Sequence, residues 1–285
     1  MTYELAVGDR AYSSWSLRGW LLLEAFGLPV HTRRAQMRTP AFPALLEEFP
    51  PACTVPALRM PEGVATDSLA IAEELAQRHP EAGHWPDDPA ARVLARSIVA
   101  EMHSGHAALR TACPMNLRTA WRMPAPTEAV AADLDRIVSL WRRARGMGGE
   151  GPWLFGRFCA ADAFHAPVAA RIAGYGLPVP DDAAAYVEAQ MTAEPFRRWR
   201  AMGLVDGPDQ EVYAMDLERA PWPFEPARTG RPSEGPPANA RCPYSGEAVT
   251  HFMAFDGRVW GFCNAFCRDK TAADPLAWPE FRALL

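Results

Sequence analysis

Lysine is almost missing from this chain: Lys270 is the only one in 285 residues, and every other basic side chain is arginine, which reads as a coding bias. There is no basic excess either. With 29 basic and 34 acidic residues the formal net charge is −5, which argues against a nucleic-acid surface or attraction to anionic membrane. Cysteine is sparse. Six cysteines do not make a disulfide scaffold, and three of them lie beyond residue 240, so a reducing cytoplasm is expected. Apolar runs are short, Trp20 to Leu23 being an example, and cannot cross a bilayer. Met1-Thr2-Tyr3-Glu4 lacks the basic and apolar regions of a signal peptide. What is present is ordinary for a globular protein, and the length suits two domains with a small appendage.

Tyr3 to Val7 alternates as a strand, Gly8 to Ser16 is a polar loop, and Leu17 to Phe26 reads as a helix ending at Gly27. Val30 to Arg34 suits a second strand and Pro40 to Phe49 a second helix. Thr54 to Leu58 and Val64 to Thr66 suit two strands joined at Gly63, and Leu69 to His79 a third helix. The order βαβ then ββα within residues 1–80 is thioredoxin-like. Beyond a Pro-rich break, residues 90–202 carry only helical patterns, over 90–112, 127–145, 160–172, 181–191 and 195–202. Residues 203–240 are rich in Pro and Gly and read as an extended linker; residues 241–285 form a last small unit.

Three local signals carry chemistry. Ser13, Ser14 and Ser16 lie at a helix start, where unpaired amides and the macrodipole favour an anion, so a hydroxyl there can hold a thiol as thiolate. Val55-Pro56 opens a strand, and a cis bond there would turn the Val55 backbone groups toward an extended peptide ligand. Asp67-Ser68 opens the third helix, where amides and the Ser68 hydroxyl can hold a carboxylate and Asp67 an ammonium group. Taken singly, each has a plain reading as a helix cap or an edge-strand proline. Their order gives them weight.

Ser13-Ser14-Trp15-Ser16-Leu17-Arg18, Thr54-Val55-Pro56-Ala57-Leu58 and Thr66-Asp67-Ser68-Leu69-Ala70-Ile71 resemble the three signature segments of glutathione S-transferases, the first being similar to the Ser-Ser-Cys-Ser-x-Arg motif of the zeta class. The resemblance covers roughly residues 3–202. It implies a thioredoxin-like glutathione-binding domain followed by an all-helical domain. Ser13 would stabilise the thiolate, with Ser14 the next candidate; Val55 and Pro56 would meet the cysteinyl unit, and Asp67 and Ser68 the γ-glutamyl end. Trp15 stands where the zeta class has cysteine, which sets the chain apart from maleylacetoacetate isomerases. Gly151 to Gly156 and Cys159 to Ala163 resemble the entry to the buried helix of the family's helical domain, with Cys159 and Asp162 in a capping box that serves folding. The acceptor substrate would lie near His103, His106, Met115 and Trp121. A homodimer is implied as well.

Cys242, Cys263 and Cys267 have the spacing C-x20-C-x3-C, and the last two share a helix face if a helix starts at Asn264. Three thiolates and one further ligand would complete a structural zinc site stapling a unit too small for a sufficient core. The segment resembles YHS/TRASH-type metal-binding modules, with Ser245 where a second cysteine often stands. His251, Asp269, Asp274 and water are the open choices for the fourth ligand. Cys53, Cys113 and Cys159 are isolated and read as buried small residues.

The function expected is a glutathione transferase that activates the thiol for attack on a small electrophile or a peroxide. Two alternatives are a non-catalytic glutathione-binding scaffold and a metal-responsive regulator using the C-terminal cysteines.

Overall fold

The computed structural model describes residues 2–285; Met1, which opens the first expected domain, lies outside the described residues. The chain begins β1 (Tyr3–Val7), α1 (Ser14–Glu24), β2 (Val30–Arg34), α2 (Ala41–Glu47), β3 (Ala57–Met60), β4 (Gly63–Thr66), α3 (Ser68–Arg78). The strands lie in the order β2-β1-β3-β4, with β1 parallel to β2 and antiparallel to β3. This is the thioredoxin-like arrangement. Alternation in β1 buries Leu5 and Val7 on one face, against Leu17 and Leu21 of α1. Helix α1 is buried almost all round, because its far side packs on the helical layer. Its N-terminus therefore opens at the seam between the two layers.

The helical layer is α4 (Pro89–Ser104), α5 (Ala107–Ala112), α6 (Glu128–Arg145), α7 (Ala160–Tyr175), α8 (Asp181–Thr192) and α9 (Glu194–Val205), with a short strand β5 (Ala120–Arg122) between α5 and α6. A single helix over 90–112 is not what forms. The chain breaks at Gly105 and His106, His106 taking a left-handed φ of 55°. A Cβ on Gly105 would lie only 2.7 Å from the Glu101 carbonyl, so the turn needs glycine there. Helix α7 is the core helix and is nearly all buried. At its start Asp162 accepts hydrogen bonds from the amides of Leu154 (3.1 Å) and Cys159 (2.9 Å) and from the Tyr186 hydroxyl (3.0 Å). Cys159 stands at the N-cap and completes a capping box with Asp162.

The stretch 203–240, read as an extended linker, is packed instead. It carries a turn of 3-10 helix at Glu211–Tyr213, a strand β6 (Glu218–Ala220) paired antiparallel with β5, and a strand β7 (Arg231–Ser233). Prolines keep it extended, but its aromatic side chains have somewhere to go. Tyr213 stacks on Tyr12 at 4.4 Å, and Trp222 is buried beneath Arg200 at 4.6 Å.

The last unit is a sheet β7-β8-β9, with β8 (His251–Phe255) and β9 (Arg258–Phe262) forming a hairpin, followed by α10 (Ala265–Ala273) and α11 (Pro279–Arg282). Met253, Trp260, Phe262 and Phe281 fill its core. Helix α10 lies on α9, where Arg197 grips the buried Asp274 carboxylate with both arms, at 2.9 and 2.6 Å. No helix among the described residues is long and apolar enough to cross a membrane.

Candidate functional site

Ser13 is the N-cap of α1. It sits in extended backbone and its hydroxyl accepts the Ser16 amide at 3.2 Å. The two hydroxyls of Ser13 and Ser16 are 2.8 Å apart, and the Gly8 amide donates to the Ser16 oxygen at 3.0 Å. Ser13 and Ser14 both line a cavity of about 520 Å³ in the seam between the layers. Tyr12, Met37, Arg110, Met115, Arg171 and Tyr213 are also in its wall.

Beside it lies a second cavity of about 500 Å³, lined by Thr54, Val55, Pro56, Asp67, His103 and Ser104. The Val55–Pro56 bond is cis. Asp67 caps α3, its Oδ1 accepting the Leu69 amide at 2.7 Å and its Oδ2 lying 3.5 Å from His103 Nε2. The backbone of Asp67 has φ 112°, a conformation that costs a side-chain-bearing residue free energy and is found most often at ligand clamps. Next to it the Ser68 hydroxyl is fully buried and has no hydrogen-bond partner. A hydroxyl in that state costs about 1–3 kcal/mol relative to a satisfied one.

Trp15 lines both cavities. Its ring is held by the Arg18 guanidinium at 4.6 Å, the Arg110 guanidinium at 5.1 Å and the His103 ring edge-on at 5.0 Å. Arg18 is completely buried, and its Nε and Nη1 are unpartnered. Burial pushes Arg18 down to about 9, and the charges of Arg171 and Arg110 push the same way. Burial first, and then the charge of Arg110, take Arg171 down to about 10.

Every segment singled out in the sequence for glutathione thus meets at these two adjoining cavities. Ser13, Ser14, Val55, Pro56 and Asp67 line them, whereas Ser68, fully buried at the start of α3, is in neither lining. Of the residues expected near an acceptor, His103 and Met115 are in the walls. His106 is buried between Glu101 and Asp133, its ring nitrogens 3.8 and 3.6 Å from their carboxylates, and Trp121 is buried in the core. Sequence reasoning passed over Arg110, Arg171 and Tyr213. A lone arginine in the otherwise apolar Ala169-Ala170-Arg171-Ile172 was the one available signal.

The second cluster is at the other end of the chain. The Sγ atoms of Cys242, Cys263 and Cys267 lie within 4.8 Å of one another, Cys263 and Cys267 at 3.8 Å. Zinc–sulfur bonds of about 2.3 Å put tetrahedral sulfurs about 3.8 Å apart, so the donor set fits such an ion. Cys242 opens a tight turn in which Gly246 donates back to its carbonyl, and Asn264 caps α10 by accepting the Cys267 amide. Burial alone would raise the Cys242 thiol; hydrogen bonds from the amides of Cys263, Ser245 and Tyr244 bring it down to about 7. The open choices for a fourth ligand are engaged elsewhere: His251 with Thr250, Asp269 with Arg268, Asp274 with Arg197. No imidazole or carboxylate joins the three sulfurs among the described residues. The sole lysine, Lys270, lies against them, its Nζ 3.6 Å from the Tyr244 ring and 3.7 Å from that of Trp278.

Residues 12–78 match the family model described as glutathione S-transferase, N-terminal domain. No curated protein matches the sequence. Among solved structures, a glutathione transferase homolog from Burkholderia, with bound glutathione, is 24% identical over 73% of this chain and 100% of its own, with a TM-score of 0.55. A glutathione transferase from Methylococcus capsulatus is 20% identical over 71% of this chain and 99% of its own, with a TM-score of 0.52. Glutathione transferase Omega 3C from Trametes versicolor is 20% identical over 74% of this chain and 91% of its own, with a TM-score of 0.51. The likeness is one of fold: a thioredoxin-like domain followed by a helical domain, as in glutathione S-transferases.

Proposed function

We propose that the chain binds glutathione across the two cavities and activates its thiol for attack on an electrophile. The observation that carries this reading is the Ser68 hydroxyl, buried and unpaired at the start of α3 beside the strained Asp67. An incoming carboxylate accepts from that hydroxyl and from the α3 amides, while Asp67 faces the ammonium group of the same γ-glutamyl unit. The backbone of Val55, ahead of the cis bond, pairs with the cysteinyl unit. The sulfur then reaches the N-cap of α1, where Ser13 donates to it and the helix N-terminus favours its negative charge. Ser14, in the same wall, is the other candidate donor. The solved Burkholderia homolog with bound glutathione supports the choice of ligand.

The thiolate attacks a carbon electrophile by substitution or addition, or a peroxide oxygen; proximity and thiolate stabilisation are the sources of rate. In the same reading the chain works in the cytoplasm as a homodimer. Calorimetry with glutathione, paired with turnover of a chlorodinitrobenzene, tests it. Uptake of one glutathione per chain and turnover lost in Ser13→Ala support the enzyme. Uptake with no turnover on carbon electrophiles or peroxides would leave a binding scaffold. No uptake sinks both.

For the C-terminal cluster we infer a structural zinc ion, held by Cys242, Cys263 and Cys267 with water or another small donor as fourth ligand. Three sulfurs within 4.8 Å of one another, with Cys263 and Cys267 at the tetrahedral spacing of 3.8 Å, support it.

A further inference from the structure

The cavity on the Ser13 side of Trp15 is lined by two arginines and by no acidic residue. Among the described residues four arginines are buried: Arg10, Arg18, Arg171 and Arg200. Two are neutralised in the usual way, Arg10 by Asp206 at 2.6 Å and Arg200 by Glu225 at 2.7 Å. Arg18 and Arg171 have no carboxylate at ion-pair distance among the described residues, and neither has Arg110. These three are the ones gathered at Trp15 and the cavity.

Arg171 is fixed by donating from Nε to the Cys113 carbonyl (2.8 Å) and from Nη1 to the Pro167 carbonyl (3.1 Å), so it is aimed rather than free. Arg110 is laid on Trp15. An anion in the cavity relieves like charges held this close; the Asp67 carboxylate acts on Arg18 from the neighbouring cavity, and no carboxylate lines this one. The rest of the wall is flat and apolar, with the stacked Tyr12–Tyr213 pair, Trp15 and Met115.

We propose that this cavity selects an electrophile carrying a carboxylate on an aromatic or otherwise planar frame, the carboxylate seated on Arg110 and Arg171 and the reacting carbon turned toward Ser13. The inference rests on the glutathione reading above and names the acceptor class for the same site. With 4-chloro-3,5-dinitrobenzoate, the glutathione sulfur forms a bond to the chlorine-bearing carbon. The carbon–chlorine bond breaks with its electron pair on chloride, and the thiol proton goes to solvent. The carboxylate takes no part in the bond changes and serves recognition alone.

The test is calorimetric binding to the full chain of three ligands: glutathione, its conjugate with 4-chloro-3,5-dinitrobenzoate, and the conjugate with the methyl ester of that acid. The acid conjugate is expected to bind about tenfold tighter than the ester conjugate, the scale of one charge-assisted hydrogen bond, and to lose that advantage in high salt. Arg110→Gln brings the ratio below about threefold, while Arg110→Lys, which keeps the charge, retains part of it. Should the glutamine variant not fold, the wild-type ratio and the lysine variant still decide. Equal affinities of the two conjugates, with glutathione bound, overturn this proposal and leave the glutathione reading standing. A loss of plain glutathione affinity in Arg110→Gln equal to that of the acid conjugate also overturns it, because the cluster then serves the cosubstrate. No binding of any of the three overturns both.

Discussion

The hydroxyls of Ser13 and Ser16 face each other at 2.8 Å in a buried pair in which either oxygen can be the donor. Ser16 Oγ receives the Gly8 amide, and Ser13 Oγ receives the Ser16 amide. If Ser16 donates to Ser13, the Ser13 oxygen holds two incoming donors and its own hydrogen is free for the thiolate. Ser16 is then a positioning residue that never touches the sulfur. Ser13→Ala is expected to lower turnover about 100-fold, as loss of a single anion-stabilising donor does. Ser16→Ala is expected to raise the pKa of bound glutathione by about one unit and to slow turnover about tenfold at neutral pH. Ser16→Thr restores both. Titration of the thiolate absorbance of the bound tripeptide reads this directly, and an unmoved titration in Ser16→Ala refutes the relay.

The fold was legible where short patterns carry it. β1 alternates, the helices have caps and glycine stops, and Ser13, Val55-Pro56 and Asp67-Ser68 fall at element starts whatever the tertiary packing. What escaped was set by contacts between distant residues. Tyr213 lines the cavity only because it stacks on Tyr12, far away in the chain. Arg110 and Arg18 matter because both close on Trp15, and a sequence shows neither the convergence nor the missing carboxylates. The Pro-rich stretch 203–240 misled because proline content sets local stiffness, while docking depends on where Trp222 and Tyr213 find partners.

Ser68 gives a prediction in which stability and binding move in opposite directions. Its hydroxyl is buried and unpaired in the free protein, so Ser68→Ala removes an unsatisfied group and is expected to raise unfolding stability by about 1 kcal/mol. The same change deletes a donor to the ligand carboxylate and is expected to weaken glutathione binding about tenfold or more. Denaturant midpoints and calorimetry on one preparation separate the two. A variant that is both less stable and unaltered in glutathione affinity marks Ser68 as a packing residue.

Asp162 gives the pH dependence. Burial pushes its carboxyl up to about 6 from the ordinary 3.8, even though the Leu154 and Cys159 amides and Tyr186 all donate to it and oppose the rise. A raised acid binds its proton more tightly in the folded chain than in the unfolded one. Stability therefore falls as pH rises from about 4 to about 6, and this contribution is level outside that window. The full drop is about 3 kcal/mol. Asp162→Asn cannot titrate, so the difference between wild type and variant in urea midpoint is expected to change across that window and nowhere else. Asp162→Ala leaves three buried donors orphaned and is expected to cost about 3 kcal/mol or more at any pH.

Metal removal separates a structural ion from a regulatory one, because the C-terminal unit is held at two places. The three sulfurs join the Cys242 turn, the end of β9 and the first turn of α10. The other attachment, Arg197 with Asp274 where α10 meets α9, needs no metal. Chelation, or Cys263→Ser, is therefore expected to release about one zinc ion per chain and to speed amide exchange over residues 242–264. Exchange in α9 should hold, since its contact with α10 persists. Glutathione affinity should hold as well, because none of the three cysteines lines either cavity. A metal-free chain whose 242–264 amides exchange no faster shows that the thiols need no ion to hold the turn. A glutathione affinity that shifts on chelation makes the ion a regulator, acting through α10 where Phe266 lies 5.6 Å from the guanidinium of Arg10, in the loop that carries Ser13.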